Sequence, residues 1–351
     1  MKFANVFLGT GLGGIEQAFV DYDRALTLKG YDVVNFVHKN GQVKDKLSKE
    51  SKTVELPFRK RSPLTFWALY QAFKREKPDM MLVHFKKALF FCRIIGKILG
   101  IPVVGIAHNS KTKHIIKADF VFSVTEYQRR IFIENGYDPS RIFTVPNMID
   151  VNQDFKPLAA YRTPPVVGML GRFDPMKGLE VFVDGLYHLK KKGVAFKAKI
   201  AGKSTPDYED YYQGVLKKIE DCGLKDDIEF VGWLADKKDF YDGIDIFVLP
   251  SKWEPFGIVL LEAMMFSKPV VASTAEGPSE IFSGTNAALL FEKGSGEALA
   301  GQLEKIIDDH ALASSLVTNA YALVKQKYDL KTSGAETLFK AVSSIFPQTP
   351  S

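Results

Sequence analysis

Along the first half of the chain, short apolar runs alternate with longer stretches whose apolar positions recur every three to four residues. The short runs, at 3–8, 32–37, 53–56, 80–84, 103–107, 120–124 and 142–145, read as strands, and helical periodicity fits 15–29, 64–76, 89–99 and 127–135. Strands and helices in strict alternation predict a parallel, doubly wound sheet, whose ligands sit outside the carboxyl ends of the strands. The second half repeats the logic with strands at 165–170, 196–200, 228–230, 244–249, 269–272 and 288–291 and helices between them, among them the amphipathic stretch 179–189. Residues 154–165, with Pro157, Pro164 and Pro165, break the pattern and read as a linker.

The expected fold class is therefore α/β with two Rossmann-like, doubly wound domains facing across a cleft. The expected division is 1–158, 159–332 and a closing segment 333–351 carrying a helix at 333–345. A length of 351 residues is about twice a typical domain and agrees with two. No apolar run approaches the ~20 residues that span a bilayer, and the start, Met1 to Gly9, is interrupted by glycines too soon for a signal peptide and reads as a strand. Cys92 and Cys222, one in each half, indicate neither a disulfide framework nor a cysteine zinc site, so the cytoplasm is the expected compartment.

Charge changes the picture more than composition does. The formal net charge is +6, but residues 1–150 hold 24 Lys and Arg against 14 Asp and Glu, a net of +10, which leaves −4 for the remainder. A basic first half suits an anionic acceptor or an anionic membrane surface, because such asymmetry acts through long-range attraction.

Two segments of the second half carry the chemistry. Gly171-Arg172-Phe173-Asp174-Pro175-Met176-Lys177-Gly178 lies between a strand and a helix, which puts Arg172 and Lys177 at a helix mouth where unpaired backbone N–H groups already favour an anion. A pyrophosphate fits there. Glu254-Pro255-Phe256-Gly257-Ile258 follows another buried strand, with Phe256, Gly257 and Ile258 opening a helix and Glu262 just over two turns beyond Glu254. Carboxylates accept from paired hydroxyls, so one can hold a hexose and the other a ribose. Taken singly, Glu262 also reads as a solvated helix residue and Glu254 as a dipole partner.

With these motifs the chain resembles the retaining glycosyltransferases of the GT-B fold, family GT4, marked by a Glu, seven residues and a second Glu. The resemblance implies that Arg172 and Lys177 neutralise a nucleotide diphosphate, that Glu254 and the backbone of Phe256, Gly257 and Ile258 contact the transferred sugar, and that Glu262 contacts the ribose. It places Gly13 and Gly14 beside the donor phosphate and His108, at a strand end, beside the donor sugar. It also implies that the C-terminal helix crosses back to the first domain.

Other features have competing readings. Gly9-Thr10-Gly11-Leu12-Gly13-Gly14 matches a dinucleotide fingerprint, but the end of the second strand, Phe36-Val37-His38-Lys39-Asn40, lacks the ribose-binding acid. A structural tight turn is a further reading of those glycines. His108 is also readable as a loop or capping histidine, and His84, with no motif around it, as structural. Basic and aromatic residues interleave from Phe58 to Tyr70, and Lys86, Lys87, Arg93, Lys111, Lys113, Lys117, Arg129 and Arg130 extend the positive field. This stretch could meet a membrane or an acceptor, although a Trp/Phe/Leu helix face is more often core. Asp21-Tyr22-Asp23 spells a D-x-D pattern inside a helix, where the two carboxylates point about 200° apart, so no metal is expected.

The expected function is hexosyl transfer from a nucleotide sugar donor to a glycan or glycolipid acceptor in lipopolysaccharide, capsule or lipid-linked glycan assembly. No cofactor beyond that co-substrate and no nucleic-acid partner are expected, and the location is cytoplasmic or peripheral on the inner membrane face. The alternatives are a sugar-nucleotide epimerase and a non-catalytic nucleotide-sugar binding module.

Overall fold

The computed structural model describes the chain except Leu12, residues 58–61, Phe85, 110–114, Ile116 and 347–351; the basic residues Arg59, Lys60, Arg61, Lys111 and Lys113 thus lie outside the described residues. The chain forms two compact units, one of residues 1–150 with 328–351 and one of 151–327. The first boundary falls after Asp150 rather than after 158, and the return begins at Tyr328 rather than at 333.

The first unit is built on a seven-stranded parallel sheet of order β3-β2-β1-β4-β5-β6-β7. Its strands are β1 (Lys2–Phe7), β2 (Asp32–His38), β3 (Lys52–Leu56), β4 (Met80–Val83), β5 (Val103–Ala107), β6 (Phe120–Ser123) and β7 (Ile142–Thr144). Helix α2 (Pro63–Glu76) and helix α3 (Lys86–Leu99) pack on one face through Leu69, Phe73, Leu89, Cys92 and Ile95. Tyr22 and Leu26 of helix α1 (Gly14–Leu28) share a second cluster with Phe3, Leu82 and Phe122. Both faces of the sheet are thereby buried, which is why its strands read as apolar runs.

The C-terminal segment belongs to this second cluster. Ile149 and Asp329 form a parallel bridge in which Leu330 N–H donates to the Ile149 carbonyl at 2.9 Å. Helix Glu336–Ile345 then buries Leu338, Ala341 and Val342 against Phe3 and Leu82, so the closing helix packs on the first unit.

The second unit has a six-stranded parallel sheet of order β10-β9-β8-β11-β12-β13. The strands are β8 (Val166–Leu170), β9 (Lys197–Ala201), β10 (Ile228–Gly232), β11 (Ile246–Leu249), β12 (Val270–Ser273) and β13 (Leu289–Phe291). β10 runs two residues beyond its expected end at 230, and β11 starts at Ile246 rather than at 244. The later start has a local cause: the Asp245 carboxylate accepts from Val166 N–H at 2.8 Å and pairs with Arg162 at 2.8 Å, so its side chain serves the strand entrance.

Candidate active site

Three loops at the carboxyl edge of the second sheet interlock. After β8, the Asp174 side chain accepts from the N–H groups of Met176 (3.0 Å) and Lys177 (3.2 Å), capping a single 3-10 turn, Pro175–Lys177. Gly178 then adopts φ +69 and starts helix Leu179–Lys191; a Cβ there would lie 2.1 Å from the Pro250 carbonyl oxygen. Only glycine lets the loop after β8 touch the loop after β11 so closely. Lys252 and Trp253 N–H groups reinforce the junction by donating to the Met176 carbonyl at 2.9 and 3.3 Å.

The junction brings Lys177 and Glu254 together, with Nζ 2.5 Å from Oε2 and Glu254 buried. Ser251 Oγ lies 3.4 Å from the same carboxylate oxygen. The segment after β12 is tied in through its short helix Glu276–Ile281, where Gly277 N–H donates to the Glu254 carbonyl at 2.8 Å; a Cβ on Gly277 would stand 2.4 Å from Phe256 Cα. Gly257, at φ +98, precedes helix Ile258–Met265, whose first N–H groups face out of its N-terminus. Arg172, largely exposed, pairs with buried Asp174 at 3.2 Å.

Glu262 lies on that helix, and it is buried, which rules out the reading of it as a solvated helix residue. Its Oε1 is 2.5 Å from Lys237 Nζ and its Oε2 accepts from the Tyr241 hydroxyl at 3.0 Å. Burial first, and the Glu262 charge second, push the Tyr241 hydroxyl well above the ordinary range, so it stays a donor. The sequence reading missed Lys237 and Tyr241, because nothing in spacing links them to Glu262. At the neighbouring strand ends, Gly202 N–H donates to the Gly232 carbonyl at 2.8 Å and the Lys203 ammonium sits 5.2 Å over the Trp233 ring.

In the first unit, His108 follows β5 and His84 follows β4, one strand over. His84 Nδ1 is 3.1 Å from His108 Nε2, so the two rings are hydrogen-bonded to each other. Burial holds His108 down to about 4 and His84 well below the ordinary range, the charge on His108 adding to the latter. Gly13 is extended at φ 177 and caps α1, Gly14 begins the helix, and the Glu16 carboxylate lies 3.3 Å from where a Cβ of Gly11 or Gly13 would stand. Asp21 and Asp23 are both buried and serve the interior: Asp23 accepts from Asn35 at 2.6 Å and from Ser48 N–H at 2.7 Å, Asp21 from Gln17 at 2.9 Å.

Comparison with known proteins accounts for nearly the whole length. Residues 12–153 match the family model for Glycosyltransferase Family 4, and residues 150–323 match that for Glycosyl transferases group 1. The chain is similar to the lipopolysaccharide core biosynthesis glycosyltransferase LpsD of Rhizobium meliloti, with 26% identity over 341 residues, 94% of this chain and 95% of the relative. It is similar too to the UDP-Gal:alpha-D-GlcNAc-diphosphoundecaprenol alpha-1,3-galactosyltransferase of Escherichia coli, with 23% identity and 94% and 96% of the two chains covered. Among solved structures, HepE of Anabaena in complex with UDP-glucose matches with a TM-score of 0.82 and 22% identity, covering 98% of this chain and 100% of that one, a likeness of fold. The two family models, meeting near residue 150, show that the chain belongs to the GT4-type glycosyltransferases, and its two doubly wound parallel sheets agree with the GT-B fold.

Proposed function

We propose that this enzyme moves a hexosyl unit from a nucleoside diphosphate sugar to a hydroxyl of a glycan or glycolipid acceptor, with retention of anomeric configuration. The observation that carries this reading is the convergence of Lys177, Glu254, Gly277 and the N-terminus of helix Ile258–Met265 at the carboxyl edge of one sheet, with Arg172 beside them. Arg172, Lys177 and the helix N–H groups stabilise charge that grows on the departing diphosphate, and Gly13 and Gly14 let backbone approach it. Glu254 and the amides of Phe256, Gly257 and Ile258 orient the hexose, and His108, neutral at physiological pH, lies at its outer hydroxyl. Glu262, braced by Lys237 and Tyr241, takes the ribose, and the base sits at the turn around Trp233.

In the reaction, the bond from the anomeric carbon to the diphosphate oxygen breaks as the acceptor oxygen bonds to the same face of that carbon. The acceptor proton passes to a donor phosphate oxygen, so a protein base is not required. The acceptor belongs to lipopolysaccharide, capsule or lipid-linked glycan assembly, and the enzyme works in the cytoplasm against an anionic membrane face. The relatives' names support this reading: LpsD acts in lipopolysaccharide core biosynthesis, and the Escherichia coli relative on a diphosphoundecaprenol-linked sugar.

A thermal-shift panel of nucleotide sugars tests it, because only a bound donor raises the melting temperature. A stabilising donor that is then consumed in transfer, giving a product of unchanged anomeric configuration, is the expected result. An inverted product, an epimerised donor without acceptor, or binding with no turnover on any acceptor would each refute it.

A further inference from the structure

The Asp174 side chain, 3% exposed, is more deeply buried than those of Lys177, Glu254 and Glu262 at the same sheet edge. Its two oxygens have different surroundings. Oδ1 accepts from the Met176 and Lys177 N–H groups at 3.0 and 3.2 Å and so closes the turn that presents Lys177. Oδ2 accepts no hydrogen bond among the described residues, and Nη2 of Arg172 stands 3.2 Å from it. A buried carboxylate oxygen without a hydrogen-bond donor is costly, so its retention calls for a compensating duty.

The backbone around Arg172 does not need that carboxylate. Gly171 N–H donates to the Ala201 carbonyl and Phe173 N–H to the Lys203 carbonyl, both at 3.0 Å, so the residues on either side of Arg172 are pinned along the end of β9. The Phe173 ring packs in turn on Tyr212 and Phe230, at centroid distances of 5.1 and 5.8 Å. What the backbone leaves unfixed is the Arg172 side chain, 63% exposed, which loses much rotamer freedom when it is held. Asp174 reaches it at ion-pair distance without a hydrogen bond, and no guanidinium N–H is hydrogen-bonded among the described residues. The guanidinium is thus anchored by charge, while its planar fork of donors, which suits two phosphate oxygens, stays uncommitted.

We propose that Asp174 is the positioning residue of the diphosphate site: Oδ1 sets the turn that carries Lys177, Oδ2 holds the Arg172 side chain in place, and one buried carboxylate preorganises both cations. The proposal rests on the donor reading given above. Its effect has a sign that charge alone would not give. A carboxylate this near a bound diphosphate repels it, so if charge were the whole effect, removing the charge would tighten binding. Acting through Arg172, the same removal loosens binding, because ordering the guanidinium then falls to the ligand. Asparagine separates the two cases: it keeps an oxygen for the cap and sets an NH2 group against the guanidinium, donor against donor.

Calorimetric titration of the full chain with UDP, GDP, ADP, CDP and dTDP identifies the nucleoside diphosphate that the wild type binds, and the same titration of variants tests the inference. Arg172→Gln should weaken that binding by about tenfold or more, and Asp174→Asn by about five- to tenfold, the scale of charge-assisted bonds to a phosphate. On the Arg172→Gln background, Asp174→Asn should cause no further loss, because the guanidinium it holds is gone. Thermal unfolding of Asp174→Asn should stay near that of the wild type, since Asn caps as well as Asp does, whereas Asp174→Ala should unfold earlier. Asp174→Ser, which also caps and carries no charge, repeats the titration and should lose affinity in the same way. Binding by Asp174→Asn and Asp174→Ser as tight as wild type or tighter would overturn the inference while the donor reading stands, and so would equal losses from Asp174→Asn with and without Arg172. A wild type that binds none of the five nucleotides would remove the donor reading, and this inference with it.

Discussion

His84 and His108, at the ends of the adjacent strands β4 and β5, share a single hydrogen between Nδ1 and Nε2 at 3.1 Å, with their rings 25° from parallel. Only one of these two nitrogens can carry the proton, so the pair is one polar unit with a linked choice of tautomer. Phe19 and Tyr22 of α1 close over His84 edge-on, at centroid distances of 5.6 and 4.8 Å. Packing thus fixes the ring of His84, and the hydrogen bond ties that ring to His108.

The pair makes stability depend on pH in a stated direction. In the unfolded chain each imidazole takes a proton near 6.5, whereas in the folded chain burial holds His108 neutral down to about 4 and lowers His84 as well. A depressed folded value means that the unfolded state binds the extra proton, so the contribution of the pair is complete above 6.5 and declines as the pH falls toward about 4. Urea midpoints at pH 7 and pH 5 should drop more in wild type than in His108→Gln. Parallel drops would show that the pair is not responsible.

The family resemblance implies separate duties for Lys177 and Glu254, a phosphate and a sugar, yet they are each other's partner in the structure. A single truncation therefore has two effects. Glu254→Ala and Lys177→Ala should each lower turnover by about 10²–10³, the loss expected for a group that stabilises transition-state charge. Lys177→Ala should also cost on the order of 2 kcal/mol of stability, because it strands a buried carboxylate. The double variant should be no less stable than Lys177→Ala alone. Chemical denaturation of the four proteins measures the coupling; strictly additive losses would mean that the contact contributes nothing.

Glu262 gives a milder prediction. Tyr241→Phe removes a hydroxyl that donates to Oε2 and leaves the ring, which stacks on Phe266 at 4.9 Å, in place. Freed from one of its two braces, the carboxylate should bind the ribose about three- to tenfold less tightly, the worth of one hydrogen bond. Calorimetric titration with the nucleoside diphosphate that stabilises the wild type provides the value, and unchanged affinity would detach Tyr241 from the ribose site.

The sequence disclosed the motif residues that follow a strand, since in a parallel sheet every strand ends on the same edge and short spacings along the chain become neighbours in space. Arg172, Lys177, Glu254 and Glu262 were legible for that reason. Lys237 and Tyr241 were not, because they approach Glu262 from 25 and 21 residues away through tertiary packing that no local pattern encodes. The contact of His84 with His108 is hidden for the same cause, since it depends on β4 lying next to β5.

The sharpest prediction concerns Gly178, where a backbone dihedral and a close contact coincide. A residue other than glycine at φ +69 costs about 1 kcal/mol through its own conformation. Its Cβ would also have to displace the Pro250 carbonyl from 2.1 Å, and that carbonyl leads directly into the loop carrying Glu254. Gly193 separates the two terms: it sits at the other end of the same helix with φ +79 and nothing within 4 Å of the added carbon. Gly193→Ala should therefore cost about 1 kcal/mol and leave donor binding unchanged. Gly178→Ala should cost on the order of 3 kcal/mol and weaken donor binding more than about tenfold, because the two loops must part for the methyl group to fit. Equal donor affinity in the two variants would mean that the loop junction does not hold the site together.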